Sequence, residues 1–210
     1  ALMRVGAIYT EMGRNDAARN AYRYLIDRYP GSFLVPKAKI EILVTFYNEG
    51  RYEQVIQQAD EVSKNVVSRD YALKLYIMLG DAHSAVGSPV NAVHFYSKAH
   101  AYLRYPEKET VIVKLREAIN RLSAEELQFL LDRVRDPLAR GYLMYRLGFN
   151  HANEGKYGDA LRVLSEFVRM YPDHEMTADA RQLIAEYDRA TEADRIPATT
   201  RHTVACLLPL

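Results

Sequence analysis

Cysteine is nearly missing from this sequence: its 210 residues contain one, Cys206. An internal disulfide is therefore excluded, although the compartment is not fixed by that, since large exported bacterial proteins often lack disulfides. A surplus of charge is missing too. The 28 Lys and Arg and 27 Asp and Glu are interleaved and leave a net charge of +1, so no basic stripe is offered to a nucleic-acid backbone. No apolar run approaches the roughly 18 residues of a membrane span, and no signal peptide is seen. The chain opens on "ALMRVGAIYTEMG", already inside a helical pattern, from which we expect native sequence ahead of it.

Chemistry is the next absence. The sequence contains no HExxH, phosphate loop or GxSxG. His94 and His100 are six residues apart and do not share a helical face as an i, i+4 metal pair would. Glu125 and Glu126 are adjacent carboxylates, but they fall in a first helical turn, where the helix dipole accounts for them. We therefore assign no catalytic, cofactor-binding or metal-ligating residue, expect no cofactor, and do not expect an enzyme.

What is present is repetition. "EMGRNDAARNAY", "NEGRYEQVIQQA" and "AVGSPVNAVHFY" place Gly13, Gly50 and Gly87 at a spacing of 37, and "NEGKYGDALRVL" places Gly155 a further 68 residues on. One degenerate unit, about Glu107 to Val134, falls between the last two. Seven residues before each glycine stand Gly6, Leu43, Gly80 and Gly148. Four before stand Tyr9, Phe46, His83 and His151, five after stand Ala18, Val55, Ala92 and Ala160, and nine after stand Tyr22, Ala59, Tyr96 and Leu164. Small residues let two helices approach, a large ring wedges between them, and the glycine ends the first helix in a left-handed conformation. Each unit is then a helix hairpin that must stack on its neighbours to bury its apolar face. In this register His83 and His151 read as packing rings rather than metal ligands.

Helix ends support the division. Ser88-Pro89 and Asp136-Pro137 put a cap residue before a first-turn proline. Ser123 to Glu126, "SAEE", reads as a capping box, and Asn15 and Asp173 are further candidate caps. About eleven helices are expected.

The pattern resembles the tetratricopeptide repeat: Gly6, Tyr9, Ala18, Tyr22 and Pro30 of the first unit fall at that family's offsets. "YLIDRYPGSFLVPKA" and "EFVRMYPDHEMTADA" resemble its bacterial envelope subgroup, in which longer second helices suit a period of 37 rather than about 34. The resemblance implies an all-α superhelix of antiparallel helices over residues 1–190. A linker at 191–202 and a strand-like stub at 203–210, "TVACLLPL", would follow. "TVAC" is similar to a lipoprotein cleavage box but stands at the wrong end of the chain. Val204 to Leu210 resembles the first strand of a type I periplasmic-binding domain, as in bacterial envelope proteins where such a domain follows the repeats. The alternative for this segment is an apolar tail, unordered or packed on the last helix.

That layout implies a non-catalytic protein-interaction scaffold, the N-terminal arm of an envelope protein. It would lie in the periplasm, held at the outer membrane through a lipid anchor outside this sequence, and act on a peptidoglycan synthase such as a penicillin-binding protein. The layout equally fits a docking module of an amino-acid-binding transporter receptor. No nucleic-acid partner is expected. In such repeats the first helix of each hairpin lines the groove. That face carries Arg4, then Lys37, Glu41, Tyr47 and Asn48, then Lys74, Met78 and Asp81. In the last full unit it carries Tyr142, Tyr145, Arg146, Phe149 and Asn153, whose spacings of three and four share one face. We expect partner binding at Tyr47, Asn48, Lys74 and these last five residues, rich in the Tyr and Arg common at hot spots. The alternative is that the rings pack near Arg181 to Ile184, a placement that suits Phe149 better than Tyr142 or Arg146. A carboxylate clamp for a chaperone tail is not expected, because Met3 and Ala7 replace its Lys and Asn and Glu41 opposes an anion.

Overall fold

The four turn glycines decide where the helices reverse. Gly13, Gly50, Gly87 and Gly155 have φ between 70° and 75°, and no other described residue has positive φ. A side chain there would meet its own backbone, so glycine is the inexpensive choice. The residue after each glycine donates its N–H back to the carbonyl of Tyr9, Phe46, His83 or His151, at 2.8–3.0 Å. This long-range cap satisfies carbonyls that the helix end would otherwise leave open.

The computed structural model describes residues 1–63, 68–103 and 108–195. Among them are eleven helices and no strand: α1 (Leu2–Glu11), α2 (Asn15–Arg28), α3 (Val35–Asn48), α4 (Tyr52–Ser63), α5 (Arg69–Ala85), α6 (Pro89–Tyr102), α7 (Lys108–Ile119), α8 (Ala124–Leu131), α9 (Pro137–Asn153), α10 (Tyr157–Met170) and α11 (Thr177–Arg195). None is long and apolar enough to cross a membrane. The expected all-α repeat architecture is what the chain adopts. The chain forms two compact units, divided between Arg121 and Leu122.

In the first unit α1–α2, α3–α4 and α5–α6 are hairpins, α2 packs on α3, α4 packs on α5, and α7 closes on α6. In the second, α8 packs on α9, α9–α10 is a hairpin, and α11 packs on α10. The degenerate stretch 107–134 is thus where the chain divides, and α8 has only eight residues.

Within each hairpin the register positions are complementary in size. A Cβ on Gly6 or Gly80 would collide with the ring of Tyr22 or Tyr96, and one on Gly148 would collide with Leu164. The remaining hairpin reverses the pair, with Leu43 and Ala59 both buried at the same two positions. Volume is conserved across the interface although neither residue is, which is what close packing requires.

The caps are mixed. Ser123 and Glu126 form the capping box, and Asp136 accepts from Ala139 N at 2.9 Å. Ser88 precedes a first-turn proline but caps no backbone N–H with its side chain. Asn15 is the first residue of α2 rather than its cap, and Asp173 stands four residues ahead of α11. Helix α11 runs on through residues 191–195, the first five of the expected linker. The rest of the expected linker and the stub with Cys206 lie outside the described residues.

Candidate functional site

Successive first helices α3 and α5 lie side by side because α4, between them in the chain, packs on both. Between α3 and α5 is an open cavity of about 250 Å³. Val44, Ile77 and Met78 give it an apolar floor, while Tyr47, Asn48, Lys74 and Asp81 form the polar rim. Three of the residues expected to bind a partner, Tyr47, Asn48 and Lys74, are therefore brought together here.

The rim is held by charge. Lys74 Nζ donates to both oxygens of Glu41, at 3.0 and 3.1 Å. Asp81 is the centre of a network crossing four helices. It accepts from Tyr47 Oη on α3 at 2.8 Å, from Tyr96 Oη on α6 at 2.7 Å, and from Lys114 Nζ on α7 at 2.7 and 2.8 Å. With its side chain only 14% exposed, Asp81 has to be this well partnered, since a buried carboxylate without donors is costly. Burial, and then the bond to Asp81, push the Tyr47 hydroxyl up to about 12; burial also raises Tyr96. Both phenols therefore remain donors at neutral pH. Sequence reasoning placed Asp81 on this face but missed Lys114, which stands in the degenerate unit where the register gives no guide.

A second charge network fixes α3 from its other side. The Arg19 guanidinium is buried against the Phe46 ring, 4.7 Å from its centroid. It donates to Thr45 Oγ1 at 3.1 Å, to the Glu49 oxygens at 2.9 and 3.0 Å, and to Asp16. The bond from Arg19 holds the Glu49 carboxyl below its usual range.

The five residues expected on α9 are not one surface. Tyr142 is 4% exposed. Its ring meets His174 edge-on at 4.6 Å and its hydroxyl donates to Glu175. Of the five residues expected to face the concave side, Tyr142 is therefore packed inside. The cause is the segment Tyr171–Met176, which returns across α9 and sets the His174 ring where a Cβ on Gly141 would be. His174 is locked there, accepting from Met176 N at 3.2 Å through Nδ1 while Nε2 faces the Leu138 carbonyl at 3.1 Å. Nε2 is therefore the protonated nitrogen. Gly141, a glycine inside a helix, was the available signal. Tyr145 packs edge-on to Phe167 at 6.2 Å, Arg146 lies 5.2 Å from the Phe149 centroid, and Asn153 is exposed at the end of α9.

Of the two histidines read as packing rings, His83 packs between helices. His83 stacks on Phe95 at 5.3 Å, and His94 meets the same ring edge-on at 5.1 Å. Burial lowers the basicity of both. Among the described residues no three His, Cys, Asp or Glu are grouped to hold a metal ion.

Residues 1–32 and 142–174 match the family described as "Tetratricopeptide repeat". One of the two matched segments lies in each compact unit. They coincide with α1–α2 and with most of α9–α10. No curated protein matches the chain. Among solved structures the chain is similar to one from the "TPR2AB-domain:pHSP90-complex of yeast Sti1", at 12% identity and a TM-score of 0.47, covering 89% of this chain and 97% of that one.

Proposed function

We propose that this chain is a non-catalytic protein-interaction module, and that the groove between α3 and α5 receives an apolar side chain from an extended segment of a partner protein. The observation carrying this reading is the open apolar floor of Val44, Ile77 and Met78 beside a rigid polar rim. Water over such a floor is released on binding, which favours association. The rim charges are already compensated, Lys74 by Glu41 and Asp81 by Lys114. A terminal carboxylate gains little here, so an internal segment is the better occupant. Asn48, exposed at the mouth, offers an amide to that segment's backbone.

The setting we propose is the bacterial envelope. The chain would be a periplasmic arm tethered at the outer membrane through a lipid anchor elsewhere in the polypeptide, with a peptidoglycan synthase of the penicillin-binding class as partner. Support comes from the 37-residue spacing of Gly13, Gly50 and Gly87 and from the resemblance of Val204 to Leu210 to the first strand of a periplasmic-binding domain. That same resemblance supports the second reading, in which the repeats dock an amino-acid-binding receptor to its transporter.

A photo-crosslinking residue at Asn48 tests the groove directly in envelope extract. The wild-type groove should capture a defined protein, and Val44→Trp, which fills the floor, should reduce capture at least about tenfold. Capture unaffected by Val44→Trp would remove the groove reading. Recovery of a peptidoglycan synthase or of a transporter permease separates the two settings.

A further inference from the structure

Asp81 stands in the wall of the groove between α3 and α5, with its side chain 14% exposed. A carboxylate at this place is no requirement of the repeat. The same register position holds Ala7, Val44 and Phe149 in the other hairpins, none of them charged. Tyr47 and Tyr96 donate hydrogen bonds to Asp81 but bring no charge. Among the described residues Lys114 is the one cation bonded to it, through both oxygens. Lys114 belongs to α7, which packs on α6, and the residues lining the cavity all stand on α3 and α5. The other ion pair of the rim is built differently, since Lys74 and Glu41 are on those two wall helices themselves. The walls alone would thus leave Asp81 negative, and a third element removes the charge.

We propose, resting on the groove reading above, that Lys114 is a specificity-determining residue that acts through Asp81 without lining the groove itself. By neutralising Asp81 it selects a partner segment whose seated apolar side chain is flanked by uncharged residues. A carboxylate this far out of water interacts strongly with any charge brought beside it. Left bare, it would favour a segment with Lys or Arg next to the apolar residue, because that cation would replace the missing ammonium. With Lys114 in place, an incoming cation meets a compensated pair and still loses its own water, so it gains nothing. The apolar floor of Val44, Ile77 and Met78 decides that a large side chain is seated. Lys114 decides which residues stand beside it.

The probe is a library of random peptides displayed on phage and panned against the full chain, keeping only peptides whose binding Val44→Trp abolishes. On the wild type these should share a large apolar residue with no enrichment of Lys or Arg beside it. On Lys114→Gln, which keeps an N–H for Asp81 but removes the charge, Lys or Arg should be enriched there. Such a cationic peptide should bind Lys114→Gln at least about tenfold tighter than the wild type by calorimetry, and the advantage should shrink as salt is added. Lys114→Arg, which restores the charge, should behave as the wild type. Circular dichroism checks that each variant keeps wild-type helicity. One arm needs no variant: Lys placed beside the apolar residue of a wild-type-selected peptide should change its affinity for the wild type by less than about threefold. A gain of about tenfold there would mean that Asp81 is uncompensated and would overturn the proposal. Unchanged peptide choice in Lys114→Gln overturns it too, as does Lys114→Arg behaving like Lys114→Gln, and in both cases the groove reading stands. Recovery of no peptide that depends on Val44 overturns the groove reading and this proposal together.

Discussion

Lys74, Ile77, Met78 and Asp81 on α5 and Tyr142, Tyr145, Arg146 and Phe149 on α9 are the same four register positions, 68 residues apart, as are Gly87 and Gly155. The first set lines an open cavity, whereas in the second Tyr142 is 4% exposed. The difference comes from what lies over each helix. Beside α5 runs α3, whose Val44 and Tyr47 form an opposite wall and leave space between. Over α9 the Tyr171–Met176 segment returns, with His174 seated on Gly141 and Glu175 taking the Tyr142 hydroxyl. A repeat position thus defines an orientation, and the neighbouring segment determines whether it is a site or part of the core.

The comparison is most easily broken at Tyr142. As a core ring, Tyr142→Ala should cost about 3 kcal/mol of stability, read from urea unfolding. The equivalent change at a surface position, Lys74→Ala, should cost under about 1 kcal/mol. Equal small effects would return Tyr142 to the surface. Next in size is the Asp81 network. Asp81→Ala strands the buried Tyr96 hydroxyl together with Tyr47 and Lys114, and should cost about 2–3 kcal/mol. Glu175→Ala removes an exposed acceptor from one phenol and should cost about 1 kcal/mol.

A smaller difference lies behind the two faces. Gly80→Ala drives a methyl into Tyr96, whose hydroxyl is held by Asp81, whereas Gly148→Ala meets Cγ and Cδ2 of Leu164, which no hydrogen bond anchors. Overpacking of about 2 kcal/mol is expected at Gly80 and about 1 kcal/mol at Gly148. A larger loss at Gly148 would mean that the Asp81 network does not hold Tyr96 in place.

The smallest effects are pH dependences, of Tyr47 on α3 and of the histidines on α5 and α6. Tyr47 is neutral in the folded protein up to about 12, whereas in the unfolded chain it ionises near 10. Its contribution is therefore complete below pH 10 and is lost as pH rises towards 12, a loss that Tyr47→Phe should abolish. His83 and His94 are lowered below 6.5 by burial. Their contribution is complete above pH 6.5 and declines as the unfolded chain takes up protons below it. His83→Phe should flatten that acid limb without changing the alkaline one.

Legibility followed the physics of each feature. Gly13, Gly50, Gly87 and Gly155 could be read because a left-handed helix end is a local backbone demand that almost only glycine meets. Ser123–Glu126 could be read because a capping box is closed within four residues. Lys114 could not be, since its partner Asp81 is 33 residues away and its own repeat lacks the register glycine. The burial of Tyr142 was missed for a related reason. Its cover comes from a six-residue connection with no periodicity, and only Gly141 betrays the space that His174 fills.

The amino-acid sequence by itself determined the helices, their pairing into hairpins, and which side of each first helix points away from its own second helix. These rest on turn chemistry and on a 3.6-residue period, both of which act over a few residues. Only the tertiary structure decided that the chain divides between Arg121 and Leu122, that Asp81 collects donors from three other helices, and that Tyr142 is covered while its equivalent Lys74 rims an open cavity. Those outcomes depend on which segments meet across 30 or more residues of chain, where volume and buried charge must be satisfied jointly and no local preference can settle the result.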